Sequence, residues 1–128
     1  MMTRTLDRRA RKGAVLVESA IVYAVFLMLL LGGLSVGLGI FRHQEIAHLA
    51  RESARWSSLQ DVSMRTPAQI MTNVIRPNAV GVDPDDLTVT TTPAQTDMAT
   101  VTITYPWIPE VYLAPVTLRS TARARIAY

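Results

Sequence analysis

The chain changes its hydrophobic rhythm three times, and each change marks a different kind of element. Residues 1–13 (MMTRTLDRRARKG) are polar and show no period. The next 28, AVLVESAIVYAVFLMLLLGGLSVGLGIF, are apolar almost throughout, and from Ser19 to Phe41 there are 23 consecutive residues without a charge. A helix over Ser19–Phe41 rises about 1.5 Å per residue and is roughly 34 Å long, enough to cross a hydrocarbon core of about 30 Å. From residue 42 a helical period replaces the uniform run. Ile46, Leu49, Ala50, Ser53, Ala54 and Ser57 follow i, i+3, i+4, i+7, i+8, i+11 spacing, with Arg42, Glu45, Arg51, Glu52 and Arg55 mostly elsewhere. One unbroken helix from Ala14 to about Leu59 is therefore expected, roughly 70 Å long.

Beyond it the punctuation is explicit. Thr66-Pro67 reads as an N-cap followed by proline at the first helical position, starting a short helix through Ile70, Met71, Val74 and Ile75 that Pro77 ends. Residues 78–86 hold a glycine, a proline and three aspartates and read as loop. The period then drops to two. Leu87, Val89 and Thr91 alternate with threonines; so do Val101, Ile103 and Tyr105; and Val116, Leu118, Ser120, Ala122, Ala124 and Ile126 alternate with Thr117, Arg119, Thr121, Arg123 and Arg125. Three strands with one apolar face make an antiparallel meander. The 42–60 helix carries the only large stripe able to cover it. The fold class is α+β: a long N-terminal helix, half for a membrane and half exposed, packed on a small three-stranded sheet. The domains are a basic leader (1–13), a transmembrane helix (14–41) and an extracytoplasmic helix-plus-sheet domain (42–128).

Charge sharpens this division. Arg4, Arg8, Arg9, Arg11 and Lys12 against Asp7 give the first 13 residues a net of +4, whereas the rest of the chain carries eight basic and nine acidic residues. The pI of 9.8 thus belongs to a short tail. A nucleic-acid partner needs a basic surface on the folded part, and none is expected. The tail sits directly before the apolar run, so the positive-inside bias keeps the N-terminus cytoplasmic. A cleaved secretory signal has an apolar core of only about 7–15 residues, shorter than this one.

Candidate chemistry is sparse. The chain has no cysteine, which removes disulfides, thiolate metal sites and a lipid-anchoring cysteine. His43 and His48 are five apart and do not share a helix face well. Asp83, Asp85 and Asp86 lack the glycine and glutamate of a calcium loop and read as solvated turn residues. No nucleophile–base order, phosphate loop or paired-carboxylate cleft is present, so no enzyme activity, cofactor or metal is expected. Gly33-Leu34-Ser35-Val36-Gly37 is a GxxxG spacing that permits close helix packing in lipid, although glycine is also common in membrane helices generally. Arg119, Arg123 and Arg125 on the last strand read as a solvated edge that discourages aggregation, with docking of an acidic partner as the alternative. Tyr105-Pro106-Trp107-Ile108-Pro109 reads as an aromatic loop between the second and third strands.

The most informative segment is Arg11-Lys12-Gly13-Ala14-Val15-Leu16-Val17-Glu18. A basic pair, a glycine, four small or apolar residues and a glutamate, followed by a long apolar run, resemble the processing site of type IV prepilins and pseudopilins. With Ala50-Arg51-Glu52-Ser53-Ala54-Arg55 and the closing strand segments, Val101–Pro106 and Thr117–Ala122, the chain is similar to the TadE-like family of the Tad (Flp) pilus system. Ser19, Ala24 and Ser53 depart from that family's usual aromatic, proline and glycine. The resemblance implies a type IV pilin-like fold and a minor pilin or pseudopilin role. It implies cleavage by a prepilin peptidase after Gly13, leaving Ala14 as the new N-terminus and Glu18 to pair with a neighbouring subunit's α-amine. The implied partners are that peptidase, other pilin or pseudopilin subunits and the Tad assembly proteins of the inner membrane, with the protein lying there as a single span or within the fibre. An uncleaved bitopic scaffold and a secreted domain released near Gly39 remain as alternatives, differing in where the mature chain begins.

Overall fold

A computed structural model describes residues 4–92, 97–109 and 114–126, with side chains in the first helix from Gly13 onward. The basic side chains of the leader therefore lie outside the described residues. The first element is one helix, α1 (Arg4–Leu59). It begins ten residues earlier than the apolar pattern predicts, because residues 4–12 are rich in arginine, alanine, leucine and lysine, which extend a helix already nucleated downstream. The chain forms two compact units, Met1–Val36 and Gly37–Tyr128. The first is α1 alone. The second holds the end of α1 and everything after it.

In the second unit the helical stripe becomes one wall of the core. Ile46, Leu49, Ala50, Ser53, Ala54 and Ser57 are all 2% exposed or less, as their spacing predicts. Four of the six are small, Ala50, Ser53, Ala54 and Ser57. The Oγ atoms of Ser53 and Ser57 are buried there without a described hydrogen-bond partner. Each such hydroxyl costs on the order of 1–3 kcal/mol.

After α1 comes a 3₁₀ turn, Val62–Met64. Thr66 then caps α2 (Pro67–Ile70), its Oγ1 accepting from the Gln69 N–H at 3.4 Å, with Pro67 at the first helical position. The helical path widens into a π turn, Met71–Ile75, and closes as α3 (Arg76–Asn78). Arg76 N–H donates to the carbonyl of Met71, five residues back. Pro77 explains the widening. It has no N–H, and its ring crowds the carbonyl four residues earlier; a π turn just before it absorbs both problems. The helical path thus outlasts Pro77 by one residue instead of stopping there. Ile70, Val74 and Ile75 point into the core.

A 3₁₀ turn at Pro84–Asp86 leads to β1 (Thr88–Thr92), β2 (Met98–Trp107) and β3 (Val116–Arg125). The sheet is the expected antiparallel meander, in the order β1-β2-β3. Its register pairs Thr90 with Thr102 and Thr102 with Thr121. The inward faces are those of the alternation: Val101, Ile103 and Tyr105 on β2, Val89 on β1, and Leu118, Ala122 and Ala124 on β3 pack with Ile46, Leu49 and Ile75.

One boundary differs. Tyr105, Pro106 and Trp107 belong to β2, paired with Leu118, Thr117 and Val116, and are not a loop. Proline is tolerated there because β1 ends at Thr88, opposite Thr104. Past that point β2 has a free side, where a missing N–H removes no ladder bond.

Candidate functional site

The first unit presents its apolar residues to the outside. Between Val15 and Leu34 the large hydrophobic side chains are 48% to 74% exposed. None of the most apolar 18-residue stretch of this helix is buried, and by length and composition it can cross a membrane. Withdrawing such side chains from water is worth about 1.5–3 kcal/mol each. A surface of this extent is far larger than a soluble monomer leaves uncovered, which fits a single-pass membrane protein.

Gly13, Ala14 and Glu18 all lie on this helix. Gly13 is exposed, and a Cβ placed on it would meet nothing within 4 Å. Ala14 and Glu18 are four residues apart on one continuous helix, so they share a face. Glu18 is exposed, and no described residue pairs with it. Gly33 and Gly37 are likewise four apart, and neither would contact anything within 4 Å through an added Cβ. Their side of the helix is therefore unoccupied among the described residues.

Gly39 is different, and the sequence pattern gave it no such role. A Cβ there would stand 2.6 Å from both Cη2 and Cζ3 of Trp107. Two ring carbons of the indole thus press against the helix at Gly39, where a hydrogen stands in place of a side chain. Trp107 is 7% exposed, its Nε1 has no described partner, and the Arg42 guanidinium carbon sits 5.8 Å from the ring centroid, within reach of a cation–π contact. Two residues on, Phe41 Cε1 stands 2.9 Å from where a Cβ of Gly81 would be, and Gly81 has a φ of +72°. That left-handed backbone conformation favours glycine. Glu45 accepts a hydrogen bond from the Val80 N–H at 3.1 Å. Gly39, Phe41, Arg42 and Glu45 thus form a seat on which β2 and the loop after α3 rest, and the second unit begins at Gly37 because of it. The signal was in the sequence: the alternation of Val101, Ile103 and Tyr105 continues to Trp107.

The remaining candidates are surface features. His43 and His48 are exposed. Asp83 caps its turn by accepting from the Asp85 N–H at 3.0 Å, and Asp85 pairs with Arg76 at 2.7 Å, an exposed pair worth little. Among the described residues no three His, Asp or Glu side chains converge on a metal-sized space. A small cleft of about 110 Å³ opens between Ser57, Val62, Arg65 and the ends of β1 and β2, lined mainly by methyl and methylene groups. It brings no nucleophile and base together.

In comparison with known proteins, residues 13–55 fit the family described as TadE-like protein. The matched stretch starts at Gly13 and ends at Arg55, the last residue of the ARESAR segment. No curated protein and no solved structure matches the chain significantly.

Proposed function

We propose that this chain, TadE-like over residues 13–55, is a minor pilin or pseudopilin that takes part in assembling a Tad (Flp) pilus or a related secretion fibre. The TadE-like family is one of pilus-associated proteins and not of enzymes, and the chain carries its apolar N-terminal helix. The observation that supports the reading most is the pairing of that uncovered helix with a separate small α+β unit. One part suits a bundle in lipid; the other suits a surface outside it.

In this reading a prepilin peptidase cuts after Gly13. Ala14 then carries a new α-amine, with a reference pKa of about 7.7–8.0, cationic in part at neutral pH. Glu18 of one subunit meets that amine of the next, which fixes the axial register of stacked helices. Gly33 and Gly37 let neighbouring helices approach closely. The protein sits in the bacterial inner membrane with its N-terminus cytoplasmic and its sheet outside, among other pilin-like subunits and Tad assembly proteins. A second reading, an uncleaved bitopic scaffold, draws on α1 running without interruption through Gly13.

The absence of native cysteine makes the orientation simple to test. Variants Thr5→Cys and Thr90→Cys, each in the uncut Gly13→Ala background and probed with a membrane-impermeant maleimide on spheroplasts, should label at position 90 in intact spheroplasts and at position 5 only after lysis. The reverse pattern, or labelling of both sites in intact cells, contradicts the proposed membrane orientation. For the function itself, deleting the coding sequence should reduce surface pili, and the wild-type chain should restore them. Unchanged pilus numbers in the deletion strain would contradict a role in assembly.

A further inference from the structure

Strand β3 ends the sheet in an unfinished state. Its partner is β2 on one side, and among the described residues no backbone hydrogen bond reaches Val116–Arg125 from the other. The opposite edge, β1, is half as long, five residues against ten, and lies beside α2. The inward side chains of β3 are also incompletely covered. Leu118, Ser120, Ala122 and Ala124 are half-buried, whereas Val101 and Ile103 on β2 are 1% and 0% exposed. On the outward face, Arg119, Arg123 and Arg125 are exposed, and no described residue pairs with them.

Natural edges of this length are usually blunted by proline, a bulge or shortness, and β3 has no proline and pairs continuously with β2. Its arginines act selectively instead. Two β3 strands laid antiparallel, with Thr121 opposite Thr121, would set Arg119 against Arg123 twice, and like charges directly opposed are destabilising. In that register a copy of the same strand is therefore disfavoured. A strand of opposite charge is favoured, and it would also cover the half-buried row beneath.

We infer that β3 is an acceptor edge for an extended acidic segment of a partner protein, added as a fourth strand. Main-chain hydrogen bonds would supply affinity, and alternate side chains the selectivity. The segment would carry carboxylates on the face meeting Arg119, Arg123 and Arg125, and small apolar residues on the face meeting Leu118, Ala122 and Ala124. The inference stands apart from leader processing, since it concerns only the second unit.

The test uses the full chain in neutral detergent micelles and a fluorescent ten-residue peptide alternating glutamate and valine. One control has the same composition in two blocks, and the other has lysine for glutamate. The alternating acidic peptide should bind at least about tenfold more tightly than either control, from several cross-strand ion pairs acting together. It should also slow hydrogen exchange of the amides in 116–125. In the triple variant Arg119→Glu/Arg123→Glu/Arg125→Glu the preference should pass to the lysine peptide; should that variant fail to fold, the wild-type comparison decides alone. Equal binding of the block peptide, or binding without protection of 116–125, overturns strand addition. Protection of β3 that rises with protein concentration in the absence of peptide overturns it in favour of self-pairing.

Discussion

Replacing Glu18 with alanine should abolish pilus assembly while leaving the chain inserted in the membrane and trimmed after Gly13. A carboxylate near the start of an apolar span costs on the order of 2.5–3.5 kcal/mol at its deepest, so its removal favours insertion if anything. Among the described residues none repays that cost, since Glu18 is exposed and pairs with none of them. The proposed return lies between subunits, where the carboxylate meets the α-amine of a neighbour's Ala14. Membrane fractionation should find normal amounts of Glu18→Ala protein, and pilus counts should fall to the level of the deletion strain. Glu18→Gln should fail similarly, because a neutral amide keeps the shape but not the charge. Normal piliation by both variants would show that the carboxylate is only an interfacial residue.

Gly39→Ala should destabilise the second unit, although alanine in place of glycine inside a helix ordinarily gains about 1 kcal/mol. The added methyl stands 2.6 Å from two ring carbons of Trp107, so the indole must leave its seat. Displacing well-packed core atoms costs typically about 1–3 kcal/mol, which exceeds the gain in propensity. Trp107→Ala should cost about 3–5 kcal/mol, as expected for deleting a large buried aromatic. In the double variant the methyl meets no ring, so the two losses should fall well short of additive. Gly37→Ala is the internal control. Nothing lies within 4 Å of its Cβ position, and the fold should be as stable or slightly more so. Pulse proteolysis of the full chain in detergent against urea would rank the four. Equal resistance of Gly39→Ala and wild type would remove the seat from the account.

These two positions also show what the sequence makes legible and what it hides. The core was readable because burial follows periods. The 3.6 period from Ile46 to Ser57 and the 2.0 period of the three strands each put the right side chains inward. Thr66 and Pro67 announced a helix start for a local reason, a hydroxyl cap and a fixed φ. Contacts between elements far apart in sequence have no such signature. Gly39 looks like any glycine of an apolar helix until Trp107, sixty-eight residues later, is laid over it. The end of β2 was misplaced because Pro106 reads as a stop, whereas its cost depends on whether β1 extends that far. Of the candidate site, Gly13, Ala14 and Glu18 were found through their order in the chain and their resemblance to a leader. Their positions on α1 follow from the helix itself, and their use awaits partners.

The proposed role in pilus assembly therefore turns on where the mature chain begins. Intact-mass and N-terminal peptide mass spectrometry of the protein, expressed with its cognate prepilin peptidase, tests this directly, with Gly13→Ala alongside. A chain starting at Ala14, with the uncut form in the Gly13→Ala variant, is the predicted result. A Met1 start in both would contradict it and leave an uncleaved bitopic scaffold, and a start near Ile40 would contradict it in favour of a secreted domain.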